Sequence, residues 1–428
     1  MKIGILGAGV AGLSSAYFLR GAFPRLEVHE ASDRVGGLAR SFRWHGFDCD
    51  LAPHRLYTTD EELLREMLAL VPMERVRRRS RIYLRGKWIR DPVNAAEMVV
   101  RFFPRTSLHL VWHYLVRHDQ HGEESFESLV LARFGAGLNE LFFKPYSEKL
   151  FGIPASEISA DWGRRKIRVA GLRDMVRRRS KLYFRDFHYP RRGGYGAISE
   201  RLYAEVEGWV RLGSRLVGVR PAAGGGYECR FADAGGAERV ESFDLLVNTL
   251  PLNLFARLFG LDLSLRFRPA RITYLLVARP RVTANHWFYF ADRDFMINRV
   301  AEFKNFVDDG THADRTVLCC EVTDLAEFSV ERVVAELERA GVLKAGEVLD
   351  AKVIEIAHAY PVYDRGYEAQ MLRARDFFAA HPHVHHVGRH AQFAHKDVDE
   401  IFDEAKRLAR RIISDRDSPA DGLAPDAP

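Results

Sequence analysis

Gly7, Gly9 and Gly12 are spaced as G-x-G-x-x-G between an apolar run, Ile3-Gly4-Ile5-Leu6, and helix formers that continue to Leu19. In that setting each glycine has its own task in gripping a pyrophosphate. Gly7 permits the tight turn, Gly9 lets the anion approach the backbone, and Gly12 lets helix and strand pack closely. The free N–H groups at the helix start then face the anion. A second run, Leu26-Glu27-Val28-His29, is closed by Glu30, where a carboxylate accepts ribose hydroxyls. Paired glycines, Gly36 and Gly37, follow. Near the other end of the chain Gly388-Arg389 leads into Asp397-Val398-Asp399 and a helical pattern from Glu400. That arrangement also puts backbone N–H groups and a helix dipole beside a cofactor. The two signals lie at opposite ends of the chain, so the fold must return its C-terminus to its N-terminal domain.

Other reactive residue types carry less. His381, His383, His385 and His386 lie close together, but no carboxylate or cysteine completes a ligand set, and an exposed turn before a strand explains them; no metal is expected. Of the four cysteines, Cys49, Cys229, Cys319 and Cys320, the adjacent pair Cys319-Cys320 follows the apolar run Thr316-Val317-Leu318 and reads as a buried reduced strand rather than a disulfide or metal site, which implies a reducing, cytoplasmic compartment. Arginine clusters such as Arg75 to Arg79 and Arg177 to Arg179 read as solvated faces, with no sign of specific nucleic-acid binding. Arg299 differs, because it stands among Trp287, Phe288, Tyr289 and Phe306 rather than in a charge run.

The elements that must position these residues follow from length and pattern. With 428 residues, 47% apolar and 29% charged, and a net charge of +6, the chain is an ordinary globular protein of two or three lobes. The absence of an 18-residue apolar stretch predicts no transmembrane segment, and a signal peptide is rejected because the glycine motif occupies its apolar core. Residues 60–72 read as an amphipathic helix and Arg81 to Ile89 as a hairpin turning at Gly86. From about 95 to 180 the pattern is helical, with stripes at Val99, Val100, Phe102, Phe103 and at Leu108, Leu110, Val111, Tyr114, Leu115 that read as core, the second also suiting a membrane surface. Residues 270–360 alternate as strands. Segment limits are placed at 1–90, 191–251 and 366–413 for a nucleotide-binding domain. A helical lobe occupies 91–190, a sheet-based substrate domain 252–365 and a flexible tail 414–428.

Glu30-Ala31-Ser32-Asp33-Arg34-Val35-Gly36-Gly37 extends the first motif in a way that resembles the FAD superfamily of amine oxidases, protoporphyrinogen oxidases, phytoene desaturases and UDP-galactopyranose mutases. The resemblance implies an α/β fold: a Rossmann-like FAD-binding domain of the glutathione-reductase type, a helical insertion lobe and a mixed-sheet substrate domain. It implies FAD rather than free NAD, held by Gly7, Gly9, Gly12, Glu30, Gly36, Gly37, Val217, Gly388, Arg389, Asp397 and Asp399, with His54 near the flavin ring. For His54 a structural role in its turn is an even alternative.

Four stretches resemble the mutase branch in particular: Phe143 to Pro154, Arg164-Arg165, Asn298 to Phe306, and Ala359-Tyr360-Pro361-Val362. They imply Arg165 and Arg299 as diphosphate clamps, and Tyr146, Phe151 and Tyr360 as substrate contacts. Phe151 stands where the mutases have tryptophan, and Ala394-His395-Lys396 replaces their Arg-Tyr-Leu. Paired guanidinium donors suit a diphosphate. The implied activity interconverts pyranose and furanose forms of a nucleotide-linked sugar through a reduced-flavin adduct. The alternative is an amine-oxidase or protoporphyrinogen-oxidase-like transfer of hydride from substrate to FAD. The expected partner is a small molecule, a nucleotide diphosphate sugar, and a homodimer is left open.

Overall fold

Ile3–Leu6 is apolar at every position that packs and is buried throughout, as expected of a strand covered on both faces. In the computed structural model, which describes residues 1–91, 95–116, 124–166, 186–308, 310 and 312–417, this strand is the centre of a five-stranded parallel sheet. Its order is Val384–His386, Leu245–Asn248, Ile3–Leu6, Leu26–His29, Val210–Arg211. Three stretches of sequence far apart in the chain therefore build one nucleotide-binding sheet. Helix Val10–Leu19 follows the first strand, and the C-terminal helix Val398–Asp417 packs along it, with the Phe18 and Phe402 rings 4.9 Å apart. A meander of Arg215–Pro221, Tyr227–Ala232 and Glu238–Phe243 flanks this sheet, and His29 stacks on Phe231 at 3.9 Å.

The second sheet has seven strands, in the order Val348–Pro361, Phe267–Val277, Thr316–Val322, Ile297–Glu302, Trp287–Phe290, Ser80–Leu84, Lys87–Arg90. Its last two strands come from the first 90 residues. The expected hairpin forms, with Arg85 and Gly86 both at positive φ as a two-residue turn requires. It leaves the nucleotide-binding side and pairs in parallel with Trp287–Phe290. Sequence alternation specifies a hairpin but not the sheet that receives it, because the pairing partner is two hundred residues away.

Helix Glu61–Leu70 is capped by Asp60, whose Oδ1 accepts the N–H groups of Glu62 and Leu63. The helical lobe contains Ala95–Phe102, Arg105–Leu115, Phe126–Phe134, Lys144–Phe151 and Ala160–Lys166. Lys149 fixes the fourth of these to the second sheet. Its Nζ donates to the carbonyls of Phe290, Asp292, Phe295 and Ile297 at 2.7–3.1 Å.

The stripes read as core behave differently from expectation. Phe102 is buried, but Val100, Phe103, Leu108, Val111, Trp112 and Leu115 are exposed, Leu108 by 64% and Leu115 by 70%. The apolar period is helical, as expected; Leu110 packs against the cluster that holds Phe102, while Leu108, Val111 and Leu115 face outward. The cluster Arg177 to Arg179 and the tail beyond residue 417 lie outside the described residues. All four cysteines are buried thiols. No described helix is long and apolar enough to cross a membrane, and no described cluster of His, Cys, Asp and Glu forms a metal site.

Candidate active site

A cavity of about 510 Å³ opens between the two sheets. One wall is the glycine turn. A Cβ on Gly12 would stand 1.8 Å from the Gly7 carbonyl oxygen, so no other residue permits this turn to close on its helix. Gly36 N–H donates to the Ala8 carbonyl at 2.8 Å, and a Cβ on Gly37 would approach the Gly9 Cα to 3.2 Å. The two glycine motifs are thus pressed together as one cradle. Glu30 is oriented by Ala8 N–H on Oε2 at 2.8 Å and by Ser32 N–H on Oε1 at 2.9 Å, and it borders the cavity. Gly388, at φ +90°, faces the first helix so closely that a Cβ would lie 2.7 Å from that of Ala11. Arg389 and Asp397 line the same cavity.

The opposite wall is the second sheet. Tyr289 pairs with Arg299, Arg299 with Glu321 and Glu321 with Ile272 across three neighbouring antiparallel strand pairs, so these side chains form one row on one face. All four line the cavity. Within the row Arg299 donates through Nε and Nη2 to Glu321 Oε2 at 2.9 and 2.6 Å, and the Tyr360 hydroxyl donates to Oε1 of the same carboxylate. Burial opposes the charge on Arg299, but Glu321 with Tyr360 and Tyr289 outweighs it and holds its pKa above the ordinary value. Arg389 lies 5.0 Å over the Tyr360 ring and reaches His395 Nδ1 at 3.2 Å, while His395 lies parallel to Tyr360 at 6.3 Å.

Between the walls runs Leu51-Ala52-Pro53-His54-Arg55, with Ala52 in the left-handed region at φ +92°. His54 stacks on Tyr195 at 5.3 Å, and its buried Nδ1 has no hydrogen-bond partner within normal geometry among the described residues. Burial, then the positive charges of Arg299 and Arg389, pull its pKa down to about 4, so the ring is neutral near pH 7. His390 Nε2 is a second buried nitrogen without a partner among the described residues. A close-fitting glycine cradle, an oriented carboxylate and orphaned ring nitrogens on one cavity fit a dinucleotide with a flavin end. They would hold the phosphates at Gly7, Gly9 and Gly388, the ribose at Glu30 and the ring near His54.

Of the residues singled out in sequence, Gly7, Gly9, Glu30, Gly36, Gly37, His54, Arg299, Tyr360, Gly388, Arg389 and Asp397 meet on this cavity. Gly12 acts beneath it. Asp399, buried in the first turn of the last helix, has its pKa raised to about 7 by burial and by Asp397, and does not line the cavity. Val217 sits where the meander register shifts between Leu216 and Gly218, away from the lining. Tyr146 stands behind the wall, edge-on to Tyr289 at 6.2 Å. Phe151 is 3% exposed, packs edge-on against Trp162 and belongs to the core. Arg165 falls in the last turn of Ala160–Lys166, and its side chain lies outside the described residues. Glu321, Arg55, Trp287 and Tyr289 were not singled out as site residues. A carboxylate in the apolar strand Thr316–Val322 is the signal for the first, since a buried charge requires a partner.

A profile of the family described as flavin containing amine oxidoreductase matches residues 10–279. L-amino-acid oxidase from Crotalus adamanteus is 45% identical over 67 residues, 16% of this chain and 13% of that one. Coproporphyrinogen III oxidase from Staphylococcus aureus is 46% identical over 54 residues, 12% of each. These matches therefore span about an eighth of the relatives' lengths. Among solved structures, a reduced UDP-galactopyranose mutase superposes with a TM-score of 0.83 at 20% identity, covering 96% of this chain and 94% of that one. A putative protoporphyrinogen oxidase from Exiguobacterium sp. 255-15 gives 0.75 at 18%, covering 97% and 99%. Putrescine oxidase bound to putrescine gives 0.64 at 18%, covering 96% and 99%. At such identities the likeness establishes the fold.

Proposed function

The chain belongs to the flavin-containing amine oxidoreductase family and uses FAD, and from that premise we propose that it is a mutase-type enzyme that interconverts pyranose and furanose forms of a nucleotide-linked sugar. The observation that supports this reading is the charge of the substrate-side wall. Arg55, Arg299 and Arg389 border the cavity there. The one carboxylate in the row, Glu321, is already committed to Arg299 and Tyr360. Glu30 is held by backbone donors on the far wall, and Asp397 stands at the start of the C-terminal helix. A cationic amine would meet a positive field here, whereas a diphosphate would find paired guanidinium donors.

Held at the glycine cradle and Glu30, reduced FAD would supply the nucleophilic chemistry at the anomeric carbon, with no net redox over the cycle. The protein's own part is electrostatic. Arg299, immobilised by two hydrogen bonds to Glu321, offers its remaining N–H groups to the leaving diphosphate without reorganising. Arg389, held against Tyr360 and His395, adds a second fixed charge. Neutral His54 offers an uncommitted ring nitrogen beside the flavin end.

The test uses the FAD-loaded protein. Dithionite-reduced enzyme is expected to bind UDP-galactopyranose and yield the furanose, oxidised enzyme to yield none, and Arg299→Ala to lose both binding and turnover. Failure of the reduced protein to bind any nucleotide sugar, together with anaerobic bleaching of the oxidised flavin by an amine or a porphyrinogen, replaces this reading with hydride transfer from substrate to FAD.

A further inference from the structure

Arg55 borders the cavity beside His54, and its side chain makes no ion pair or hydrogen bond to any described residue. Every other cation on the lining has a polar partner. Arg299 is paired with Glu321, Lys396 with Glu404 at 2.8 Å, and Arg389 reaches His395. The Arg55 guanidinium instead lies 5.0 Å from the centre of the Trp287 ring. Arg78 lies 5.3 Å from the same ring, but it is spent on Asp91 and Ser80. Trp287 itself lines the cavity and is 3% exposed, and its buried indole Nε1–H has no acceptor among the described residues. Two donor groups without a polar partner among the described residues, one of them a full charge, thus lie side by side at one corner of the second-sheet wall.

Burying a charge without a counter-ion costs free energy that a native structure retains only where something recovers it. Burial lowers the Arg55 pKa and Arg78 adds to that shift, while Tyr289, Asp397 and Asp91 oppose it, neither acid forming an ion pair with the guanidinium. The guanidinium nevertheless remains charged at any physiological pH. Placement on Trp287 separates Arg55 from the glycine cradle that serves the cofactor phosphates, because Trp287 belongs to the strand Trp287–Phe290 of the second sheet.

We propose that Arg55 and the Trp287 indole N–H form the seat for a phosphate oxygen of the substrate, so that Arg55 supplies the diphosphate clamp that complements Arg299. This rests on the mutase reading above only for the identity of the substrate. The seat itself requires a phosphate-bearing ligand of any kind. In this arrangement the guanidinium gives two parallel N–H donors to one phosphate and the indole gives a third to the same anion. Arg299, neutralised by Glu321, orients the other phosphate.

The test is titration of inorganic pyrophosphate, UDP and succinate onto the FAD-loaded protein, whose cofactor phosphate site is already filled. Affinity is read by calorimetry and by tryptophan fluorescence. Wild type is expected to bind pyrophosphate and UDP with a change in emission that Trp287→Phe abolishes. Arg55→Gln is expected to weaken both by about tenfold or more, the scale of charge-assisted hydrogen bonds, and to flatten the salt dependence. Arg55→Lys, which keeps the charge and the fold but not the paired donors, is expected to fall between the two. Unchanged affinity in Arg55→Gln overturns the proposal. If that variant does not load FAD, unchanged affinity in Arg55→Lys with no response from Trp287 does the same. Arg55-dependent binding of succinate without pyrophosphate overturns the phosphate assignment. Arg55-dependent binding of pyrophosphate without ring contraction of any UDP-sugar leaves this seat in place and removes the mutase reading.

Discussion

Glu321 ties the second-sheet wall of the cavity together, for it accepts from Arg299 twice and from Tyr360 once while its own side chain is 3% exposed. Removing it in Glu321→Ala strands a mostly buried guanidinium and a phenol at once. We expect a loss of about 3–5 kcal/mol, the cost of breaking a buried ion pair from one side. Tyr360→Phe leaves the ion pair whole and is expected to cost about 1 kcal/mol. Urea unfolding of the two variants checks the contrast, and equal losses would show that the carboxylate is not the shared anchor. Glu321 was readable in principle from sequence, as an acid inside Thr-Val-Leu-Cys-Cys-Glu-Val. Arg55 was not, because nothing local distinguishes an arginine that stays unpaired among the described residues from one that finds a partner across the chain.

At the scale of elements, Asp50 closes the strand Phe47–Asp50 just before the segment that carries His54 and Arg55. Its carboxyl accepts from Ser41 Oγ at 2.6 Å, Tyr195 N–H at 2.8 Å and the Tyr189 hydroxyl at 2.9 Å. Burial still pushes its pKa up from 3.8 to about 7, the three donors offsetting only part. The folded protein therefore holds a proton between those values that the unfolded chain has released. The stability this contributes is fully present below about pH 4 and is lost as pH rises through 7. Asp50→Asn has no such titration, so its stability relative to wild type is expected to improve between pH 5 and pH 8. Denaturant midpoints at the two pH values measure this, and a constant difference would count against it. Elements built on local rules were legible in sequence: the glycine turn at Gly7 to Gly12, the helix after Asp60 and the hairpin at Arg85-Gly86. Their partners were not. Pairing of Ser80–Leu84 with Trp287–Phe290, and the outward face at Leu108 and Leu115, depend on contacts between distant segments that no periodicity encodes.

Across the whole molecule, the cavity is assembled from the N-terminal cradle, Thr249 to Pro251 after the strand Leu245–Asn248, and residues between Gly388 and Ile401 at the start of the C-terminal helix. Because distant segments must meet to form this cavity, FAD bound there would be linked to folding. Stripping FAD is expected to lower the melting temperature. Re-addition should raise it with the logarithm of FAD concentration, the stabilisation reaching about 4 kcal/mol when free FAD is a thousandfold above its Kd. Gly388→Ala separates the two contributions. Its Cβ would lie 2.7 Å from that of Ala11 and would occupy φ +90°, so it pushes the C-terminal segment off the first helix. The FAD-dependent part of the melting shift is expected to shrink more than the stability of the FAD-free protein falls. An FAD-dependent shift as large as in wild type would mean that the C-terminal segment closes over the cofactor without the Gly388 contact.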